Sequence, residues 1–303
     1  MGSLVELARE RLASLDPEAA IQLAQQAIKH DQNCVDAIDV LADAAMHSNN
    51  LKLAQEALLR SVALKPKGDP ERYMNLGQLH QGETALQYFD IGVREFRAAR
   101  SALENASGAR EELSDAWAAA THALASGLCA VAEIYLTDAC DDDEAEAKCE
   151  QLASEAVELI SALEPQVLVE PYQIQASLRL SQERPGEAAA LLERALSITH
   201  ATEGSEQYPS APLRIALAKM LMEVGRALDA LELLQDLRLE DDESLELWYL
   251  TCCAAQMSGE NEVAMDEIGA AIQFAESDAC SPEEANDWLP QIRELAKSCC
   301  ESY

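Results

Sequence analysis

The chain has 303 residues, 49% of them hydrophobic but only 4% aromatic, and 55 Asp and Glu against 22 Lys and Arg leave a net charge of −33 at pH 7. A composition rich in Ala, Leu and Glu, with only 12 Gly and 10 Pro, favours helix and excludes an all-β core. A field of that sign repels nucleic acid and anionic membranes and attracts basic partners.

The hydrophobic content is enough for one solenoid or two ordinary domains. A repeat decides between them: Ala20 and Ala54 stand 34 residues apart in matching settings, and so do Ala230 and Ala264. A fixed period of this length marks stacked helix-turn-helix units of the tetratricopeptide (TPR) kind. In chain order, the first unit spans about 3–32, with Leu4, Leu7 and Ala8 on one helix and Ala20, Ala24 and Ala27 on the next; Asp16-Pro17 reads as an N-cap followed by Pro at the first helical position. The second, about 35–66, packs Ile38, Leu41, Ala42 and Ala45, turns at Ser48-Asn49-Asn50, continues with Ala54, Leu58 and Ser61, and closes at Pro66.

The third unit, about 70–104, joins Tyr73, Leu76 and Gly77 to Ala85, Phe89 and Gly92 through a shortened turn. A fourth, about 111–165, has two long helices, Glu111 to Leu136 and Glu144 to Leu163, ending at Pro165. The fifth, about 168–200, carries Tyr172, Ala176, Ala188, Leu192 and Ala195, and a loop from Thr199 to Pro212 follows. The sixth (about 211–242) holds Leu217, Ala218, Gly225, Ala230 and Leu234, and the seventh (about 245–276) holds Trp248, Gly259, Ala264, Ile268 and Ala271. Ser281-Pro282-Glu283-Glu284 has the form of a capping box and opens a solvating cap helix over about 281–300. The predicted architecture is all-α: a right-handed superhelical solenoid of about seven TPR-like helix pairs plus a C-terminal cap, occupying 1–303 as one domain.

Stacked pairs line a concave groove with their first helices. If Ile38, Leu41 and Ala45 face the packed layer, the neighbouring stripe carries Asp36, Asp39 and Asp43, at i, i+3 and i+7 on one face. Corresponding places in other units hold Glu71 and Asn75, Glu133, Glu170, Glu223, and Glu246 with Tyr249. One such carboxylate is an ordinary solvated side chain, whereas a set of like charges in a concavity repels itself and calls for a basic partner. The acidic run Asp141-Asp142-Asp143-Glu144 reads first as a loop and helix cap, and alternatively as a landing site for Lys or Arg at the groove rim.

Catalytic chemistry finds no support. The sequence has no Gly-rich phosphate loop before a Lys, no nucleophile elbow and no HExxH pair. Nine scattered Cys without a CxxC read as buried small residues in a reducing compartment. No cofactor or metal is expected, no apolar run of membrane-spanning length is expected, and neither is a signal peptide. A clamp for acidic chaperone tails would need Lys and Asn where Asp39 and Asp43 stand, so that role has the wrong sign. A scaffold subunit of a larger complex remains the alternative.

The segment Tyr73-Met74-Asn75-Leu76-Gly77-Gln78-Leu79-His80-Gln81-Gly82-Glu83-Thr84-Ala85-Leu86 goes beyond the generic repeat. With the order of units, the acidic balance and the long fourth unit, it resembles the fungal TPR assembly chaperones of ribosomal protein L-four of the large subunit. The resemblance implies capture of that newly made basic protein, through an extended internal loop held in the acidic groove, and its escort from cytoplasm to nucleus. A monomer is expected, and the net charge of −33 predicts no direct binding of nucleic acid.

Overall fold

A computed structural model describes residues 2–105, 110–161, 163, 168–205, 207–277 and 280–301. Among the described residues there are fifteen α-helices and no strand. They are α1 (Gly2–Ala13), α2 (Pro17–His30), α3 (Val35–His47), α4 (Leu51–Leu64), α5 (Glu71–Gln78), α6 (Gly82–Asn105), α7 (Arg110–Leu136) and α8 (Ala145–Ser161). The rest are α9 (Glu170–Ser181), α10 (Pro185–Thr202), α11 (Ala211–Glu223), α12 (Ala227–Glu240), α13 (Leu245–Ser258), α14 (Asn261–Ala275) and α15 (Pro282–Glu301). Among the described residues the helices pack as seven pairs, α1·α2, α3·α4, α5·α6, α7·α8, α9·α10, α11·α12 and α13·α14, and α15 covers α13 and α14. The chain groups into two compact units, Met1–Glu164 and Pro165–Tyr303, and each is described by itself.

Local signals act as their chemistry requires. Asp16 Oδ1 accepts the Ala19 N–H at 3.1 Å with Pro17 opening α2. Asn49 takes a left-handed φ of 56°, and Asn50 caps α4 by accepting from Leu53 N–H at 3.3 Å. The periodic alanines Ala20, Ala54, Ala230 and Ala264 are all fully buried, because a larger side chain there would hold the paired helices apart.

Close crossing is most exacting in the third pair. A Cβ on Gly77 of α5 would lie 2.5 Å from the Phe89 ring of α6, and one on Gly92 would lie 2.6 Å from the Met74 sulfur. Met74 continues toward Gly127 of α7, where a Cβ would meet its Cε at 3.5 Å. Glycines therefore admit one aromatic ring and one thioether into the gaps between three helices.

Several expectations are corrected. Leu7 is 38% exposed and Val5 is buried in its place. The loop predicted from Thr199 begins only after Thr202: α10 continues through buried Thr199 and Thr202, whose hydroxyls donate to the carbonyls of Ala195 and Ile198. Pro165 lies outside the described residues. The capping box forms by half: Glu284 N–H donates to Ser281 Oγ at 3.2 Å, but the Glu284 carboxylate crosses to accept Leu245 N–H of α13 at 2.8 Å.

Of the cysteines, Cys140 is exposed rather than buried, and those described are free thiols. By length and composition alone Asp115–Leu136 of α7 is long and apolar enough to cross a membrane, contrary to expectation. It packs between α6 and α8 with Leu124, Leu128, Val131 and Ala132 buried, which makes it an interior helix of the first unit.

Candidate partner-binding surface

The expected acidic residues divide between the units. In the first unit, α3 carries Asp36, Asp39 and Asp43, and α5 brings Glu71 and Asn75. Three of the other four carboxylates in this neighbourhood act on Asp43: Asp39, Glu71 and Asp69, the last in the turn before α5. Burial and then these like charges push the Asp43 carboxyl up to about 6, with His47 opposing. Asp36 and Glu71 are exposed, while Asn75 is half-buried and its carbonyl accepts from Leu79 N–H at 3.2 Å.

Asp39 has a different position. Its side chain is 18% exposed and is occupied from within the fold. Arg72 of α5 donates Nε–H to Asp39 Oδ1 at 2.9 Å and Nη2–H to Oδ2 at 2.6 Å, and buried Ser61 of α4 donates to Oδ1. Arg72 also donates through Nη1 to the Lys65 carbonyl at 3.0 Å and stands 3.4 Å from Asp69. Its side chain is only 6% exposed, so the acidic patch has a cation built in beneath it.

Sequence reasoning passed over Arg72. A signal was present: it follows Asp39 by 33 residues, nearly one repeat, and it is a lone cation in a stripe otherwise read as acidic.

Glu133 of α7 is exposed, and its carbonyl accepts from the Thr137 hydroxyl at 2.8 Å. The acidic run beyond it is a turn and cap. Asp142 accepts Glu144 N–H at 2.9 Å and pairs with Lys148 Nζ at 2.7 Å, while Asp141, Asp143 and Glu144 are exposed. Residues 101–164 hold fifteen Asp and Glu against two Lys and Arg, the steepest imbalance in the first unit.

In the second unit the expected residues are dispersed over α9, α11 and α13. Glu170 is half-buried and Glu223 is exposed at the end of α11. Glu246 pairs with Lys219 Nζ at 2.7 Å. Tyr249 turns toward the cap helix, its ring 5.4 Å from that of Trp288, and burial raises its phenol above the usual value. This unit has its own internal clamp: buried Arg214 holds Glu240 at 2.6 and 2.7 Å, donates to the Pro209 carbonyl at 2.9 Å and lies 4.3 Å from the Tyr208 ring. Among the described residues no group of His, Cys, Asp and Glu is arranged to hold a metal ion.

No family model matches the chain. It is 30% identical over 307 aligned residues to an Emericella nidulans protein named "Probable assembly chaperone of rpl4", an alignment that takes in 95% of this chain and 73% of that protein. A Schizosaccharomyces pombe protein of the same name is 30% identical over 250 residues, 80% of this chain and 70% of its own length. Among solved structures, that of an assembly chaperone of RpL4 (Acl4, residues 1–338) superposes with a TM-score of 0.74 at 31% identity, covering 86% of this chain and 96% of the other. A tetratricopeptide repeat protein from Parabacteroides merdae shares the fold alone, with a TM-score of 0.53 at 12% identity over 99% of this chain and 98% of the other.

Proposed function

This chain belongs to the family of the assembly chaperones of rpl4, and we propose that it too is a dedicated chaperone of that ribosomal protein, bound as a newly made basic chain. The relatives supply the client, and the charge supplies the chemistry. A basic segment outside its RNA is unfolded and binds any polyanion, and an acidic surface offers its Arg and Lys charge-assisted contacts in place of phosphates. The observation that carries the reading is the α3–α5 patch: Asp43, Glu71 and Asp69 lie together in the first unit, Asp36 acts on the same Arg72, and Asp39 is held from below. We infer further that the client presents an extended loop, that a monomer carries it between cytoplasm and nucleus, and that the role is binding rather than catalysis. Hand-over follows from mass action, because ribosomal RNA offers the same cations more anionic partners.

Binding of recombinant rpl4, measured by calorimetry against salt, tests this. We expect affinity to fall at least about tenfold as ionic strength rises severalfold, as screening of exposed charges requires. Asp36→Lys combined with Glu71→Lys is expected to weaken binding by a further tenfold or more, roughly 1.4 kcal/mol, with helical circular dichroism unchanged. Affinity indifferent to both salt and charge reversal would overturn the electrostatic reading. Recovery of a fixed set of subunits from a lysate, without rpl4, would favour a scaffold.

A further inference from the structure

The acidic patch contains a feature that its net charge does not explain: a buried guanidinium under the carboxylates it would be expected to weaken. Resting on the functional reading above, we propose that Arg72 is a positioning residue for client binding: by holding Asp39 inward on both of its oxygens, it leaves Asp43 and Glu71 as the carboxylates that meet an incoming Arg or Lys of rpl4.

The geometry is that of a fixed bracket. The guanidinium of α5 reaches α3 through Asp39 at 2.9 and 2.6 Å and the end of α4 through the Lys65 carbonyl at 3.0 Å. Ser61 of α4 completes Asp39 from the remaining side. Three helices thus converge on one carboxylate, and planar bidentate pairing admits no sliding. Asp39 accepts three hydrogen bonds from within the fold, two on Oδ1 and one on Oδ2, and its cation partner is nine-tenths removed from solvent, so little of it is offered to a client cation.

Asp43 lies one turn further along α3 and has no such bracket. The charged groups acting on it are Asp39 and His47 of its own helix, with Asp69 and Glu71 from the turn and first residue of α5. Arg72 holds Asp39 on both oxygens, and burial among like charges raises the Asp43 carboxyl to about 6. A client guanidinium arriving at Asp43 lowers it again, so binding expels a proton from that carboxyl to solvent. Affinity therefore rises as pH is raised toward about 6 and is level above it.

The test is a pH series of rpl4 binding to the full chain, with carbon-13 NMR of the Asp43 carboxyl in the free protein. The wild type is expected to bind several-fold more weakly at pH 5 than at pH 7, with a midpoint near 6. Asp43→Asn is expected to abolish the step. With Arg72→Gln, Asp39 loses the bracket that holds it inward and the buried cation beneath the patch is gone, and the midpoint is expected to move by about half a unit or more; Arg72→Lys, which keeps charge but loses the second hydrogen bond, falls between. Should Arg72→Gln fail to fold, the Arg72→Lys midpoint decides by the same criterion. A folded Arg72 variant retaining both the wild-type midpoint and the wild-type Asp43 titration overturns the role given to Arg72. Absence of rpl4 binding by the wild type overturns the functional reading instead.

Discussion

Asp43 and Asp39 are four residues apart on one helix face, yet one is solvated by the fold and the other is crowded by it. The difference comes from α5, which aims Arg72 at Asp39 and leaves Asp43 facing Glu71 and Asp69. The sign of the consequence for stability follows directly. A carboxyl whose folded value lies near 6, above the ordinary 3.8, holds its proton more firmly when folded. The folded state is therefore favoured below the ordinary value, and this favour is lost as pH rises through about 6. At neutral pH the ionised Asp43 is a cost, of order 1 kcal/mol once solvent screening is allowed for. Asp43→Asn is accordingly expected to raise the melting temperature at pH 7 by a few degrees and to have little effect at pH 4, as differential scanning calorimetry can check. On the role proposed for Asp43, the same substitution is expected to weaken rpl4 binding, so stability and binding would move in opposite directions.

At the scale of elements, the tightest joint is α5 against α6. The Phe89 ring occupies the space that a side chain on Gly77 would need, at 2.5 to 2.7 Å from three of its atoms. Gly77→Ala forces that ring out of a packed position and is expected to cost about 1–3 kcal/mol, several degrees in melting temperature. Gly186, in the first turn of α10, has nothing within 4 Å of the place a Cβ would take and no positive φ. There the same exchange is expected to stabilise by up to about 1 kcal/mol, through the loss of glycine's freedom in the unfolded chain. Thermal melts of the two variants side by side separate packing from backbone entropy, and equal effects would refute the close-crossing account. The small-residue periodicity was readable at this scale because a close helix crossing admits few residue types. The path of Met74 between Gly92 and Gly127 was not, since no spacing rule links three helices.

For the whole molecule, −33 is a property of both units. Residues 1–164 hold 29 acidic and 13 basic side chains, and residues 165–303 hold 26 and 9. Self-repulsion on this scale destabilises a compact chain and is relieved by counterions. Raising ionic strength from low to roughly 0.3 M, where the screening length is well under 10 Å, is expected to raise the melting temperature while it weakens rpl4 binding. A melting temperature that falls with salt would show that internal pairs such as Arg214 with Glu240 outweigh the repulsion.

What the amino-acid sequence determined by itself was the ladder: the 34-residue step, the cap at Asp16, the turn at Ser48-Asn49-Asn50, and the acidic face of α3. These are local, because period, capping and face depend on residues within a turn or two of one another. Tertiary structure alone decided which carboxylates are spent. Asp39 is taken by Arg72, Glu246 by Lys219, and Tyr249 turns toward Trp288 of the cap helix. A helix face can be read from spacing, but what stands opposite it comes from another helix, and in this chain that neighbour separates an acid paired within the fold from one crowded by like charges.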